Sequence, residues 1–476
     1  MTDKNSKANP AQQSPAPDPR QKNLSSHLTG SAAAGPLVVS KANPRYFTVA
    51  SGSAADQKVV YLTGSHIWNN FHDGVGPGMS CAETPQPWPR TGPGTATDGK
   101  PEFDLSRFDQ AYFDRLRDRV IAAGKEGIYV AVMLFDGFAL HLSPAPDNVE
   151  GHPFYAANNS NEIGITSIID YQVLPLDPHV QELQEAYIRQ VVDTVHDLPN
   201  ILYEVANESS GDNADSVQLP DGSSIPTPVG DSTQWQYWVI DFVKQYEQQM
   251  GYDKHPVGMT MQYPVPDQSK VNDPLFNSRA DWISPGFDDQ VFAAQSGDAP
   301  RWFTNPPAND GTKVVITDTD HYAPGMGDAL WAWKSFLRGH NPILMDYGII
   351  DVVNPLDPSL GVPSYESSEP ARYAMGDTRR FAEQINLTEM EPRGILSSTG
   401  YALADPGKEY LVLEPSGTAD PFFVTLEPST YTVQWYSVNS RETVEADKVM
   451  IESSATTSFS TPFETIGPVV LYLKKE

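Results

Sequence analysis

Short apolar runs and amphipathic segments alternate along most of this chain. A continuous apolar run at Ile128–Phe135 and shorter, mainly apolar runs at Ile201–Val205 and Lys313–Thr317 are typical of buried parallel strands. Between them, apolar residues recur at the three- and four-residue spacing of helices, as in the segment that begins near Pro178. Because the alternation continues over roughly 300 residues, it predicts an α/β fold with a parallel sheet, of the (β/α)8 TIM-barrel type.

The remaining elements of this region follow from the same two periodicities. Leu105–Ile121 has helical spacing, and Gly124 is a candidate helix end. The first strands are predicted at Asn43–Phe47 and at Val59–Thr63, and the second opens into Gly64–Asn70. Further elements are predicted as a helix over Trp235–Tyr246 that stops at Gly251, strands at Val257–Met261, Trp282–Ile283 and Ile343–Met345, and a helix near Asp328–Arg338.

The pattern changes after Gly394. Short apolar strands lie close together here, separated by Pro, Gly, Ser and Asp, and the helical spacing is gone. The strands are Tyr410–Leu413, Phe422–Leu426, Tyr431–Trp435 and Val469–Leu473. This arrangement predicts an antiparallel β-sandwich. The predicted organisation is therefore a disordered tail at 1–34, a barrel at 35–393 and a sandwich domain at 394–476.

Charge limits the partners of the chain. Acidic residues number 61 and basic residues 32, which gives a net charge of −29. This charge repels phosphates and anionic lipids, so neither a nucleic acid nor a membrane is an expected partner. The longest apolar run is too short for a bilayer, and residues 1–34 contain no apolar signal segment. The chain is therefore expected to be soluble and cytoplasmic, and its sequence does not indicate an oligomeric state. Cys81 is the only cysteine, which excludes an intrachain disulfide.

Polar side chains follow several of the predicted strands. Asn207 and Glu208 end the Ile201–Val205 run abruptly, and a buried carboxylate at such a position needs a polar partner. In parallel α/β folds, ligands bind at this end of the strands. Other side chains at strand ends are His66, Asp136, Asp318 and Asp346.

Two of these strands resemble a known family. Ile201–Glu208 resembles the fourth-strand signature of clan A glycoside hydrolases, particularly the cellulase-like enzymes of family 5. Glu204 and Glu208 match the two acidic positions of that signature, whereas Ser209 stands where proline is usual. Lys313–Asp318 is similar to the seventh strand of the clan, with Asp318 in place of the usual glutamate.

Four longer segments are similar to a narrower group of barrel proteins. These segments are Asn43–Asn70 with Trp68, Asp318–His321, Trp333–Gly339 and Asn341–Asp346. They resemble cellulase-like and apiosidase-like barrels that carry a C-terminal sandwich domain of the collagen-binding type. The label of that domain is only a family name, and residues 394–476 contain nothing that indicates affinity for collagen.

One part of the clan's pattern is not found. After the first strand the clan has a helix and a second barrel strand, whose end carries an arginine near the nucleophile. Residues 73–104 are instead rich in proline and glycine and have no periodic apolar pattern. We therefore expect either a barrel that is one βα unit short, with a gap or a rearranged closure, or a chain that is a truncated or spliced variant.

The resemblance implies the chemistry of glycosidic bond hydrolysis, which uses two carboxyl groups and no cofactor or metal. It implies that Glu208 is the acid/base and that Asn207 binds a sugar hydroxyl. The second carboxylate would be Asp318 or Asp320. The other candidate contacts to a carbohydrate are His66, Trp68, Asp136, His321 and Asp346.

Three other interpretations remain. The chain could be a non-catalytic carbohydrate-binding or structural barrel, because the second strand is missing and an aspartate replaces the nucleophilic glutamate. Asp318, Asp320, His321 and Asp346 could instead bind a divalent cation. Trp282 and Trp331, like Trp68, could stack on sugar rings, although core packing is the more common role for such residues.

Overall fold

The computed structural model describes most of the chain. The described residues are 32–50, 58–67, 71, 85–142, 148–212, 216–218, 224–226, 230–263, 265, 270–286, 301–321, 327–346, 348–349, 364–418, 420–464 and 467–476. Most of the predicted tail, Trp68 and the side chain of Asp320 lie outside this set.

A small antiparallel sheet precedes the barrel. It consists of β1 (Leu37–Val39), β2 (Phe47–Val49) and β3 (Val59–Val60), in that order. The prediction of a strand at Asn43–Phe47 was wrong, because Tyr46 N donates to Asn43 O in a turn and the strand begins only at Phe47. The predicted strand Val59–Thr63 is shorter and pairs with β2, so it is not the first strand of the barrel.

The barrel sheet contains seven parallel strands among the described residues. They are β4 (Gly64–His66), β5 (Val130–Asp136), β6 (Ile201–Asn207), β7 (Val257–Thr260), β8 (Trp282–Ser284), β9 (Val314–Asp318) and β10 (Asn341–Met345). Their order is β4-β10-β9-β8-β7-β6-β5. The sheet curls as a TIM-like barrel does, which confirms the predicted fold class.

The sheet is open between its first two strands in sequence. β4 and β5 are its two edges, and within the described ranges no strand lies between them. A closed eight-stranded barrel would have its second strand at this position. The absence of a second βα unit stays a prediction, because residues 68–70 and 72–84 lie outside the described set.

Helices connect the strands. They are α1 (Gln110–Lys125), α2 (Phe138–Leu142), α3 (Ile169–Gln172), α4 (Pro178–Val195), α5 (Thr233–Met250), α6 (Asp273–Asn277), α7 (Arg301–Thr304), α8 (Ala329–Leu337) and α9 (Glu369–Gln384). The Asp177 side chain caps α4 by accepting from His179 N, and Gly251 ends α5 in a left-handed conformation. α1 ends at Lys125, one residue beyond the predicted end at Gly124. A side chain at Gly124 would meet the Asn200 amide at 2.9 Å, so close packing explains this glycine.

Alternation along the strands divides the barrel core into two layers. Tyr203 and Val205 on β6 face the helices, whereas Leu202 on the same strand faces the barrel interior. The interior is filled by Leu202, Trp282, Val314 and Ile316, and by Leu37 and Phe47 from the small sheet. The indole of Trp282 lies so close to Gly258 that a methyl group there would meet it at 1.9 Å. Trp282 and Trp331 are only 2% and 1% exposed, so both are core residues.

The C-terminal region is the predicted antiparallel sandwich. Its strands are β11 (Glu391–Pro392), β12 (Ala402–Asp405), β13 (Glu409–Glu414), β14 (Phe422–Leu426), β15 (Ser429–Ser437), β16 (Thr443–Ile451), β17 (Ala455–Phe459) and β18 (Val469–Lys475). One sheet has the order β11-β12-β13-β18-β15-β16, and β14 pairs with β17 in the other.

The larger of these two sheets is covered on both faces. Tyr410 and Val412 of β13 pack towards the β14–β17 pair, whereas Leu411 and Leu413 belong to the core that includes the barrel helices. This explains why every residue of β13 is buried. The sandwich and the barrel therefore share a continuous hydrophobic core, and the boundary at residue 393 stays a prediction.

Trp333 and Asp377 lie at the centre of this shared interface. The ring centroid of Trp333, on α8, is 5.2 Å from Phe381 and 5.6 Å from Tyr436 of β15. Asp377, on α9, accepts 2.9 Å hydrogen bonds from Arg441 and a short one from the Tyr436 hydroxyl. Burial raises the pKa of Asp377, but these hydrogen bonds outweigh that effect and leave it below its usual value.

Of the helices that the structure describes, none combines the length and the apolar character required to cross a membrane.

Candidate active site

The polar strand-end residues lie on one rim of the barrel. β4, β6, β9 and β10 are parallel, so their carboxyl ends point the same way. These ends carry His66 on β4, Asn207 and Glu208 on β6, Asp318 on β9 and Asp346 on β10. The fold therefore gathers residues that are far apart in the sequence around one mouth, as in other barrels of this type.

Glu208 follows β6 and is 9% exposed. Its φ angle is 39°, a left-handed conformation that few residues other than glycine adopt. Its carbonyl oxygen lies 3.1 Å from His141 Nε2. Burial lowers the pKa of His141 to about 4, so this ring is neutral at pH 7 and its Nε2–H donates to Glu208. Burial, and then the charge of Glu208, raise the pKa of Tyr263 above its usual value.

Asp136 positions Asn207. The Asn207 amide donates to Asp136 Oδ1 at 3.2 Å, and Ala139 N donates to Asp136 Oδ2 at 3.0 Å. The pKa of Asp136 is raised because burial outweighs these hydrogen bonds. Contact of Asp136 and Asn207 with a substrate stays a prediction.

Asp318 is paired with His66. His66 Nε2 lies 2.8 Å from Asp318 Oδ2, and Asp318 is 8% exposed. The two strands that carry them both pair with β10, where Ile343 is in register with Asp318 and Met345 with His66. The sheet therefore fixes this pair at the mouth of the barrel.

Glu204 carries a further carboxyl group, which lies one step inward from the rim along β6. Glu204 is on β6, four residues before Glu208 and on the inward face that Leu202 occupies. Burial and the charge of Asp318 raise the pKa of Glu204 to about 8, and His66 opposes this rise. Sequence reasoning did not select Glu204 as a site residue, although an acidic residue on the inward face of an apolar strand is the signal that could have identified it.

His321 belongs to the wall of the site. It is 4% exposed, and its Nδ1 lies 3.0 Å from the hydroxyl oxygen of Ser284 on β8. Burial is the main cause of its lowered pKa. Among the described residues no group of three or more His, Cys, Asp or Glu side chains is arranged to hold a metal ion.

Asp346 is fully buried and engaged in an ion pair. Arg372 Nη1, on α9, donates to its two carboxylate oxygens at 2.9 and 3.0 Å. The Asp346 backbone N–H donates to His66 O at 2.8 Å. Asp346 therefore links α9 to the strand end that carries His66, and direct contact with a substrate stays a prediction.

Glu208 and Asp318 are three strands apart in the sheet, with β7 and β8 between them. At about 4.8 Å for each step, this amounts to roughly 14 Å along the sheet. The curl of the sheet makes the direct path between the two residues shorter than this. That the two carboxyl groups face each other across a sugar ring stays a prediction.

Gly137 sets the position of Glu208. Gly137 N donates to Asn207 O at 2.7 Å, and an added Cβ would meet Ser209 Cα at 2.5 Å. We expect Gly137→Ala to push residues 207–209 away from β5, because backbone atoms cannot yield as a flexible side chain can. The unfolding free energy should fall by about 1–3 kcal/mol, measured by chemical denaturation. Any glycosidase activity should fall more steeply than stability.

Gly376→Ala is the matched control for this substitution. Gly376 lies in α9 with no atom within 4 Å of the position that a Cβ would take. Alanine should stabilise the helix there by up to about 1 kcal/mol. Equal effects of the two substitutions would show that the approach of Gly137 to Ser209 is unimportant.

No family model matches the sequence, and no curated protein matches it either. One similar solved structure is described as a glycoside hydrolase; its TM-score is 0.54 at 12% identity, with 93% of this chain and 97% of that chain covered. Another is a glycoside hydrolase of family 5 from Bacteroides vulgatus ATCC 8482, with a TM-score of 0.54, 14% identity and 93% of each chain covered. The chain therefore has the fold of these solved glycoside hydrolases.

Proposed function

We propose that this chain is a glycoside hydrolase that uses Glu208 and Asp318 as its two carboxyl groups. The observation that carries the proposal is their position on one rim of a fold shared with solved glycoside hydrolases. Glu208 is the acid that protonates the leaving oxygen, and Asp318 attacks the anomeric carbon or activates a water molecule. The substrate is a carbohydrate, and the strongly acidic chain favours a neutral one.

Each neighbouring group has a role in this reaction. Asn207 is held by Asp136 and can donate its second amide hydrogen to a sugar hydroxyl beside the reacting carbon. His66 orients Asp318 through the 2.8 Å contact. His141 donates to the carbonyl oxygen of Glu208 and so holds the backbone at this strand end.

The test compares wild type with Glu208→Gln on substrates that differ in leaving group. A panel of 4-nitrophenyl glycosides and polysaccharides, read by nitrophenol or reducing-sugar release, first identifies a substrate. Glu208→Gln should then lower kcat/KM by about 10²–10⁴-fold on an unactivated glycoside, because general acid catalysis contributes that much. The loss should be far smaller for a 2,4-dinitrophenyl glycoside, whose leaving group needs no proton.

Glu182→Gln is the control, because Glu182 lies on the exposed surface of α4 with its side chain 78% exposed. It should leave both rates unchanged. If folded Glu208→Gln kept wild-type rates on both classes of substrate, Glu208 would not be the acid.

A non-catalytic carbohydrate-binding protein is the second candidate. The open sheet edges of β4 and β5, with no strand between them in the described part of the chain, favour it. Calorimetry distinguishes the two candidates, because a binding protein would release heat with a glycan without forming any product. Substrate turnover by wild type excludes this candidate.

A further inference from the structure

The strand that carries His66 is short and lies at an edge of the barrel sheet. β4 contains the three residues Gly64–His66, and within the described ranges it pairs with β10 alone. A strand of this kind has few backbone hydrogen bonds, and such segments open more readily than the centre of a sheet. The position of His66 therefore depends on what packs against β4 and β10 from outside the barrel.

Helix α9 packs against both of these strands. Its Arg372 Nη1 donates to the two carboxylate oxygens of Asp346, which follows β10, at 2.9 and 3.0 Å. The backbone N–H of Asp346 donates in turn to His66 O at 2.8 Å. Further along α9, Thr378 Oγ1 accepts from the hydroxyl of Tyr61, in the segment that leads to β4, at 3.2 Å. α9 therefore holds the end of β4 through side chains as well as by packing.

The sandwich holds another side of α9. Asp377 lies five residues after Arg372, which is about 140° around the helix axis. Asp377 is 1% exposed and accepts 2.9 Å hydrogen bonds from Nε and Nη2 of Arg441, and a further one from the Tyr436 hydroxyl. The guanidinium carbon of Arg441 also lies 4.3 Å from the ring centroid of Tyr373 on α9. Because Tyr436 and Arg441 belong to the sandwich, α9 is fixed between the two units.

The contacts at Asp377 restrict α9 more than surface contacts would. Asp377 is a buried carboxylate, and its hydrogen bonds to Arg441 and Tyr436 are charge-assisted. Arg380 also pairs with Asp377, but it lies on α9 itself and moves with it. Movement of α9 away from the sandwich would leave a buried carboxylate with fewer donors, which is unfavourable. Since a 16-residue helix moves largely as a rigid element, a constraint at Asp377 also constrains Arg372.

We propose that the sandwich is a positioning element for the candidate active site. Its hold on Asp377 fixes α9, and α9 fixes the end of β4 through Arg372 and Asp346. The orientation of His66 therefore depends on the sandwich. This inference rests on the proposed function, in which His66 orients Asp318.

The first experiment measures amide hydrogen exchange and needs no substrate. The Asp346 amide, which donates to His66 O, is the strand-end reporter, because it exchanges when the ends of β4 and β10 separate. The Tyr203 amide is the barrel reporter. It donates to Pro256 O at 2.8 Å, between β6 and the residue that precedes β7, and exchanges when the barrel sheet unfolds.

Tyr436→Phe removes the hydroxyl that donates to Asp377 and keeps the ring. Tyr431→Phe is the matched control, because Tyr431 is buried and its hydroxyl donates to Glu427 O at 2.8 Å inside the sandwich. Both substitutions should speed exchange at the barrel reporter, since both lower the overall stability. Tyr436→Phe alone should speed exchange at the strand-end reporter, by about tenfold, and Tyr431→Phe should change it by less than about twofold.

Variants of two arginines test the route through α9. Arg441→Gln should act on the strand-end reporter as Tyr436→Phe does, and Arg441→Lys, which keeps the charge, should restore part of the protection. Arg372→Gln should speed exchange there without altering the sandwich. Adding Tyr436→Phe to Arg372→Gln should then change the rate by less than about twofold, whereas independent effects would multiply. If Arg372→Gln does not fold, the comparison of Tyr436→Phe with Tyr431→Phe still decides the question.

An equal rise at the strand-end reporter in Tyr436→Phe and Tyr431→Phe would overturn the proposal, because the sandwich would then add overall stability and nothing more. The absence of any rise in Tyr436→Phe would overturn it too. Multiplied effects in the double variant would contradict the route through Arg372.

The second experiment measures kinetics on the substrate identified by the glycoside panel. In Tyr436→Phe we expect kcat to fall by about tenfold with KM within about twofold, because the substrate still binds but the carboxylate that His66 orients is misplaced. Tyr431→Phe should keep both constants. An unchanged kcat in Tyr436→Phe would overturn the positioning role. A protein with the expected exchange pattern that cleaves no glycoside would refute the proposed function but not the hold of the sandwich on the strand end.

Discussion

Replacing Asp318 with asparagine is expected to stop glycoside turnover while leaving the barrel folded. The amide has nearly the same shape but can neither attack an anomeric carbon nor accept a proton from water. We expect kcat/KM to fall at least about 10³-fold, equivalent to about 4 kcal/mol of transition-state stabilisation. Unlike the loss in Glu208→Gln, this loss should be similar for good and poor leaving groups, because the second carboxyl group acts in both cases.

The measurement is the initial rate on the substrate identified by the glycoside panel, with circular dichroism to show that Asp318→Asn is folded. Added azide should restore part of the rate by replacing the missing carboxylate. The anomeric configuration of the products of wild type, read by NMR, distinguishes retention from inversion. Asp114→Asn, an exposed residue of α1, is the control and should behave as wild type. A folded Asp318→Asn protein with more than a tenth of the wild-type rate would contradict the role of Asp318.

Replacing Trp333 with alanine should cause the largest loss of stability. Trp333 is completely buried and contacts Phe381 of the barrel unit and Tyr436 of the sandwich. Removal of its indole leaves a cavity between the two units, which cannot close without moving both. We expect the unfolding free energy to fall by about 3–5 kcal/mol, measured by denaturation followed by circular dichroism.

Two further substitutions define the cause of this loss. Trp333→Phe keeps an aromatic ring and should therefore recover a large part of the stability. Ile395→Ala removes a side chain that is 95% exposed and should change the unfolding free energy by less than about 0.5 kcal/mol. If Trp333→Ala cost no more than Ile395→Ala, the continuous core between barrel and sandwich would be unimportant for stability.

The elements with strong local signals could be predicted from the sequence. β6 was recognisable because an apolar run stops abruptly at Asn207, and α4 because Asp177 and Pro178 form a typical helix start. The amphipathic pattern of α5 ends at Gly251, as predicted. These signals depend only on neighbouring residues, so tertiary contacts were not needed to interpret them.

Other features depend on contacts that a linear pattern does not contain. The first barrel strand is Gly64–His66, and the more apolar Val59–Val60 instead pairs with β2. α9 was not recognised, because its buried face contains small residues such as Ala371 and Ala374, which give a weak pattern. The burial of Trp282 on β8 depends on the absence of a side chain at Gly258, which lies on the neighbouring strand β7.

The candidate site likewise has some features that the sequence predicted and others that it did not. Sequence reasoning named Glu208, Asp318 and His66 because each stands at a strand end. It did not predict that His66 and Asp318 contact each other. The contact between His66 and Asp318 depends on the order of strands in the sheet, which places β4 and β9 on either side of β10.

The left-handed backbone of Glu208 affects any attempt to make this protein more stable to heat. A left-handed conformation costs a residue with a side chain about 1–2 kcal/mol, and glycine adopts it freely. Selection for heat resistance alone would thus favour glycine at this position and discard the carboxyl group on which the proposed chemistry depends. Thermal stability and catalysis therefore favour different residues at this position. A screen for more stable variants has to measure turnover as well.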